Sequence, residues 1–343
     1  MTTSATVRVM SPEEIAAQSG AEAPFLFWPQ RDTVFAERAM RLKQLASGHP
    51  MADFLGFMSA LALAQQAALK AHPSVPFPDA SALAAATRRG QPPIIAADWP
   101  RDPAWLATLR RLATDLAPQA PAAAQALLQH LSQAPEAELD ALAQRLLSQQ
   151  LQETDLAAAP FVGAALQVYF THLLLEVQRA HTAAGSPLLS VLGRTDDPTL
   201  CPCCGSLPTA SVTRTVGGTL GQRYLHCSLC SLGWHLPRVN CPRCQTPQRL
   251  AFLSLDVADA DAEDSAARAA KAAIQAESCE ACGHYLKIMH TERDPFVEPV
   301  ADDLASLTLD LLVSDSGAQR HGQNLLLFFG DPESPPPPDP GGA

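Results

Sequence analysis

The stretch from residue 201 to 282 reads Cys201-Pro-Cys-Cys204-Gly205, then Cys227-Ser-Leu-Cys230, Cys241-Pro-Arg-Cys244 and Cys279-Glu-Ala-Cys282-Gly283, and it holds all nine cysteines of the chain. Eight of them form four Cys-x-x-Cys pairs. With two residues between them, both sulfurs of a pair can point from one tight turn at one tetrahedral ion, so four pairs make two complete four-cysteine sites. Short connections usually join spatial neighbours. That favours one site from Cys201, Cys204, Cys227 and Cys230, and another from Cys241, Cys244, Cys279 and Cys282. Spacing alone also allows the first pair to join the third. Cys203 is left over and reads as a spectator thiol, since a tetrahedral site is already filled without it. His226 and His235 stand near enough to replace a ligand, but neither is needed, and packing roles suit them better. Four thiolates leave no open position for water or substrate, which points away from Lewis-acid catalysis and toward structural or electron-transfer sites.

Outward from the cysteines, 343 residues are enough for two or three packed units. The net charge of -11 argues against a surface given over to nucleic acid or anionic lipid. Met1 to Gly20 shows neither a basic n-region nor an apolar h-region, so no secretory signal is visible and the cytoplasm is the expected compartment. Thiols stay reduced there, and paired cysteines then read as metal ligands or redox groups rather than disulfides. Two apolar stretches read as buried helices rather than membrane spans. Met51 to Ala71 is interrupted by Asp53, Gln65 and Gln66, and Phe161 to Val177 by Gln167, His172 and Glu176. Between residues 201 and 249 lie Arg214, Arg223, Arg238, Arg243 and Arg249 with no acidic residue. They offset the negative charge of the thiolate sites or offer a surface to an acidic partner.

The spacing predicts an α+β chain: an N-terminal α-helical bundle, two small four-cysteine metal modules, each with a loop long enough for a β hairpin, and a C-terminal helix. The expected divisions are a leader over 1–20, the helical domain over 21–195, the first module over 196–240, the second over 241–297, a C-terminal helix and extension over 298–330, and a disordered Pro-rich tail over 331–343. Asp32 is the expected N-cap of a helix carrying Phe35, Ala39, Leu42, Leu45 and Ala46, and a second helix from about Ala52 folds back on it as an antiparallel hairpin. A short helical piece sits near Ser81 to Arg88 among prolines. Three or four helices follow over 103–182, the last being apolar nearly all round and so central to the bundle. Gly185-Ser186-Pro187 and Asp196-Asp197-Pro198 mark the boundary. Beyond it come short β pieces, Ala210 to Val216, Arg223 to His226 and Gly233 to Val239, with Gly217-Gly218 at a hairpin turn. The Ala/Asp-rich stretch over 256–271 reads as a solvated helix or a mobile loop. From Glu298 the chain turns helical, with Val300, Leu304, Leu307 and Leu311 on one face able to pack the metal region against the bundle.

The wording of these motifs resembles the FdhE family of formate dehydrogenase accessory proteins. The resemblance is carried by Cys201-Pro-Cys-Cys204-Gly205-Ser206-Leu-Pro208, Arg223-Tyr-Leu-His-Cys-Ser-Leu-Cys230, Trp234-His235 and Arg238-Val239-Asn-Cys241. It continues through Ala276-Glu277-Ser278-Cys279, Cys282-Gly283-His-Tyr285-Leu286-Lys287 and Val297-Glu298-Pro299-Val300-Ala301-Asp302-Asp303-Leu304-Ala305-Ser306-Leu307. Weaker matches are Arg41-Leu42 through His49-Pro50 and Phe161 to Tyr169. The resemblance implies a cytoplasmic accessory protein, not itself a dehydrogenase, required for active membrane-associated respiratory formate dehydrogenase. It implies two rubredoxin-like modules, with iron the favoured metal over zinc, on the eight paired cysteines. The implied partner is the molybdopterin catalytic subunit, bound before export by the twin-arginine route. Ser231 and Gln245 stand where a rubredoxin knuckle favours glycine, so those two turns are expected to be distorted or to close later, as Gly233 would permit. A zinc-ribbon nucleic-acid-binding protein using the five arginines is the alternative, and it predicts strongly salt-dependent binding. A thiol-exchange enzyme built on Cys203 or a dithiol is a third, weakened because metal-bound thiolates are poorly available.

Overall fold

The computed structural model describes residues 24–183, 192–216, 219–255, 268–269 and 271–329. The expected leader, the Gly185-Ser186-Pro187 boundary, the Gly217-Gly218 turn, most of the Ala/Asp-rich stretch and the Pro-rich tail lie outside them. The helical half contains α1 (Val34–Ala46), α2 (Ala52–Lys70), α3 (Ala80–Arg88), α4 (Ala104–Leu116), α5 (Ala122–Gln133), α6 (Glu136–Leu147) and α7 (Ala159–Ala183). Alpha-helical propensity sets these spans, but burial orders them. Phe35, Ala39 and Leu42 of α1 are buried, as are Leu55, Met58, Leu61 and Leu69 of α2, and the two helices pack on each other as the expected hairpin. Helix α3 is stopped at its start by Asp79, whose carboxylate accepts from the Ala82 N–H at 2.8 Å. Helix α1 differs from expectation: its N-cap is Thr33, with no side-chain cap bond, and Asp32 is solvent-facing.

Helix α7 is buried along almost its whole length and packs on α2, α4 and α6. Its polar residues are used inward. Gln167 accepts from Arg38 Nη1 and from Gln65 Nε2, while its own Nε2 donates 2.7 Å to the Ser228 carbonyl in the cysteine region. Gly163 lets the C-terminal segment come close, because a Cβ there would stand 2.7 Å from the Leu325 carbonyl. By length and composition α2 and α7 could each cross a membrane, yet half of the apolar window of α2 and 89% of that of α7 are buried inside the protein.

The cysteine half is one sheet. Its strands are β1 (Leu26–Phe27), β2 (Pro208–Val216), β3 (Thr219–Cys227), β4 (Gly233–His235), β5 (Leu250–Leu253), β6 (Ile274–Cys279), β7 (His284–His290) and β8 (Gln319–Arg320). Their order is β1-β4-β3-β2-β7-β6-β5, with β8 also on β7. Strands β2 and β3 form the antiparallel hairpin of the first unit and β6 and β7 that of the second. The two hairpins join through parallel pairing of Ser211, Val212 and Thr213 with Ile288, Met289 and His290. Two short helices, α8 (Pro299–Ala305) and α9 (Leu307–Asp315), then take the place of the single C-terminal helix expected from sequence. Glu298 caps α8 by accepting from the N–H groups of Val300 and Ala301. The helix ends because the buried Lys287 ammonium donates to the carbonyls of Asp303 and Ser306, satisfying oxygens that a continuing helix would use. Val300 and Leu304 are buried as expected, but Leu311 is 63% exposed. Helix α8 does pack against both α1 and β2, and Arg41 of α1 clasps Asp302 and Asp294.

Candidate metal centres

Each Cys-x-x-Cys pair closes a turn of the same design. In three of the four, the N–H of the residue after the second cysteine donates to the carbonyl of the first: Gly205 to Cys201 at 2.9 Å, Gln245 to Cys241 at 3.1 Å and Gly283 to Cys279 at 2.9 Å; in the Cys227–Cys230 turn the Cys227 N–H donates to the Leu232 carbonyl at 2.9 Å. Amides inside the turns point at sulfur, with Leu229 and Cys230 N–H groups 3.4 and 3.3 Å from Cys227 Sγ and the Arg243 N–H 3.4 Å from Cys241 Sγ. The closing residue must be left-handed, and all four are: Gly205 at φ 72°, Ser231 at 59°, Gln245 at 62° and Gly283 at 69°. The two non-glycine turns are therefore not distorted, contrary to expectation; Ser231 and Gln245 adopt the glycine conformation at the cost of Cβ strain. Gly233 serves another purpose, since a Cβ there would approach Phe27 Cβ to 3.1 Å across the β1–β4 pair. Replacing Ser231 or Gln245 by glycine should raise stability by up to about 1 kcal/mol, read as a shift in the urea midpoint at unchanged slope; a loss of stability would show the strain argument wrong.

These turns bring the eight cysteines into two clusters, Cys201 with Cys204, Cys227 and Cys230, and Cys241 with Cys244, Cys279 and Cys282. All sulfurs within a cluster lie within 4.8 Å of one another, the sequential grouping of the pairs. Sulfurs bound at about 2.3 Å on a tetrahedron stand about 3.8 Å apart. Here Cys201–Cys230 is 3.6 Å, Cys204–Cys227 3.4 Å, Cys241–Cys282 3.8 Å and Cys244–Cys279 3.7 Å. Disulfides would need about 2.05 Å, and every cysteine is free. The donor sets thus fit two four-coordinate ions, each held by thiolates alone.

The two centres differ in their surroundings. The first lies in the same apolar core as the helices, with Cys201, Cys204, Cys227 and Cys230 all at 1% exposure or less. Its knuckle accepts backbone bonds from the helical half: Ile94 N–H to the Cys203 carbonyl and Ala96 N–H to the Cys204 carbonyl, both 3.0 Å. Burial pushes the Cys201 and Cys230 thiols well up; Cys204 is buried too, but its hydrogen bonds with the neighbouring thiols and with Ser206 hold it well down. In the second centre Cys241 and Cys279 are buried, Cys282 is half-buried and Cys244 is exposed.

Cys203 is buried beside Cys230 but belongs to neither cluster. His226 and His235 are not ligands either. His226 is pushed down to about 3 by burial and by the nearby charges of Arg38 and Arg214, and His235 Nε2 meets Gln222 Oε1 at 3.1 Å. The arginine run disperses. Arg223 is fully buried, bonded through Nη1 to both Glu277 oxygens at 2.7 Å and also to the carbonyls of Leu236, Pro237 and Asn240. Arg249 lies 3.9 Å from Glu280, and Arg214 sits over the Phe27 ring. The Arg223–Glu277 pair, Ser206 at Cys204 Sγ and the Gln167 bridge to Ser228 carry no sequence signal of their own. Only the place of Arg223, Glu277 and Ser206 near the cysteine turns, and of Gln167 as a polar residue inside an apolar helix, could have drawn notice.

Comparison with known proteins agrees with this architecture. Family models described as FdhE N-terminal, FdhE central domain and FdhE C-terminal domain match residues 23–185, 200–238 and 239–327. A protein FdhE homolog of Pseudomonas aeruginosa is 39% identical over 94% of this chain and 98% of its own length. The protein FdhE of an Escherichia coli strain is 34% identical over 95% and 99%. The crystal structure of the FdhE protein from Pseudomonas aeruginosa superposes with a TM-score of 0.76 at 39% identity, covering 90% of this chain and all of that one. With all three domain models in order along one chain, and relatives alike from end to end, this protein belongs to the FdhE family.

Proposed function

We propose that the protein is an accessory factor for respiratory formate dehydrogenase, acting in the cytoplasm as a docking platform for the molybdopterin catalytic subunit. Family membership supports the formate dehydrogenase role. The observation that carries the platform reading is the first cysteine cluster, fused into the core that joins helices to sheet. An ion held by Cys201, Cys204, Cys227 and Cys230 would fix the relative position of the two halves, and one held by Cys241, Cys244, Cys279 and Cys282 would close the second hairpin. Sulfur-only tetrahedra suit iron and zinc alike; iron is the proposed metal on family grounds. With every position taken by protein sulfur, no ion in these sites would have room for substrate, which supports a non-enzymatic role. The proposed units are 21–195, 196–240, 241–297 and 298–330, the middle two sharing one sheet.

The test is capture of the full-length tagged protein from cells respiring formate, with elemental analysis of the recovered material. Recovery of the formate dehydrogenase catalytic subunit, with two metal ions per chain of the bait, is the expected result. Recovery of nucleic acid in its place, released by salt, would move the assignment to the zinc-ribbon alternative.

A further inference from the structure

Residues Pro24 to Arg31 bridge the two halves of the molecule ahead of α1. At one end the segment belongs to the sheet: the Pro24 carbonyl accepts from the Tyr224 hydroxyl at 2.9 Å, the Phe25 carbonyl from the His235 N–H at 2.8 Å, and β1 pairs with β4. At the other end Arg31 belongs to the helices. Its carbonyl accepts from Gln66 Nε2 of α2 at 2.7 Å. Its guanidinium donates to the Leu69 carbonyl near the end of α2, to Glu176 Oε1 of α7 at 2.9 Å and to His172 Nδ1 of α7 at 3.1 Å.

Donor and acceptor chemistry fixes the state of that histidine. A guanidinium only donates, so His172 Nδ1 carries a lone pair and the neutral ring holds its one proton on Nε2. His72, just past the end of α2, is held in the opposite tautomer: its Nδ1 stands 3.0 Å from the Pro73 carbonyl, which only accepts, so the proton is on Nδ1. The two rings stack with centroids 4.3 Å apart, and the Nε2 of each is buried without a partner among the described residues. Tyr169 lies beside His72, but its hydroxyl already accepts from Trp99 Nε1 and the Asp102 N–H. A second proton on His172 has only Nδ1 to go to, where it would set two cations against each other in place of a hydrogen bond. Burial first, then the charges of His72 and Arg31, push His172 down to about 4; Arg179 adds to the fall and Glu176 opposes it. Burial also lowers His72, against the pull of Asp102.

We propose that Arg31, His172 and His72 form a proton-released latch on this bridge: while both rings are neutral Arg31 ties residues 24–31 to α2 and α7, and a proton on His172 expels the guanidinium and frees the segment, β1 included, from the helices. The ligand of the device is the proton itself, and its output is the strength of the junction between the helical half and the sheet.

Hydrogen exchange read by mass spectrometry on the metal-loaded full chain tests this at about pH 7.5 and about pH 5.5, a window in which exposed carboxylates stay ionised. An imidazole that titrates near 6.5 when released and near 4 when latched raises the released population about tenfold over that interval. After correction for the intrinsic rate, protection of the amides from Leu26 to Arg31 should therefore fall about tenfold at the lower pH, with α4 and α6 as controls that change far less. His172→Gln, whose amide oxygen still accepts from Arg31 but takes up no proton, should hold the segment equally at both. Unchanged protection in the unmodified protein, the same loss in His172→Gln, or an equal loss in α4 and α6 would overturn the latch. Should His172→Gln not fold, exchange of the imidazole carbon-bound proton in the unmodified protein reads the titration of His172 directly. A midpoint near 6.5 would overturn the proposal, and one near 4 accompanied by opening of the segment alone would uphold it.

Discussion

Cys230→Ala is expected to abolish cooperative folding of the metal-loaded protein, whereas Cys244→Ala should leave the helical half folded. The contrast follows from what surrounds each sulfur. Cys230 is fully buried in a core continuous with α7, and the neighbouring turns accept bonds from Gln167, Ile94 and Ala96. A structural four-thiolate site contributes on the order of 10 kcal/mol to folding, which is comparable with the about 5–15 kcal/mol by which a whole domain is stable. Loosening that ion therefore removes the hub on which helices and sheet close. Cys244 is exposed and ties down β5 and β6, at the sheet's far edge. Its loss should cost one ion per chain and local order in that hairpin. Thermal melts followed by far-ultraviolet circular dichroism, with metal content of each variant, check this. A chelator titration gives the same order: Cys244 and Cys282 should become alkylatable first, and Cys201, Cys204, Cys227 and Cys230 only with global unfolding. First-centre thiols reacting first would mean that burial does not govern the release of the ion.

Much of this arrangement is legible in the sequence, because its signals are local. Three- and four-residue spacing gives α1 folded on α2, and an apolar surface on nearly all sides marks α7 as central. Four cysteine pairs in order give two clusters in the same order. The unread features depend on contacts distant in sequence. Parallel pairing of Ser211–Thr213 with Ile288–His290 makes one sheet of two hairpins, and no turn signal announces a parallel neighbour. The left-handed turns at Ser231 and Gln245 are imposed by closure around sulfur against the residues' own preference. The break between α8 and α9 is set by Lys287, which lies on β7 and redirects helix carbonyls that periodicity alone would have carried on to Leu311. Within the candidate site the ligands were thus apparent, while the groups that hold the knuckles in place were not.

Arg223→Ala should destabilise the protein by about 3–5 kcal/mol, the cost of stranding a buried charge. Arg223 and Glu277 are both fully buried and reach from β3 to β6, strands that are not neighbours in the sheet, so the pair ties the first hairpin to the second. Burial already raises the Glu277 carboxyl even with Arg223 opposing it. Without the guanidinium it should rise further. A carboxyl whose folded value lies above its unfolded one takes up protons on folding, so stability falls as pH rises between the two values. The deficit of Arg223→Ala should therefore be smaller at about pH 5 than at about pH 8 in urea denaturation. The double variant Arg223→Met, Glu277→Leu separates two contributions. Removing both charges should recover the ionic part, but the carbonyls of Leu236, Pro237 and Asn240 still lose their donor. An unsatisfied buried acceptor costs about 1–3 kcal/mol, so recovery should be incomplete. Full recovery would mean that water reaches those carbonyls and that Arg223 serves only its acid; no recovery would mean that the carbonyl bonds, and not the ion pair, hold the loop after β4 against the sheet.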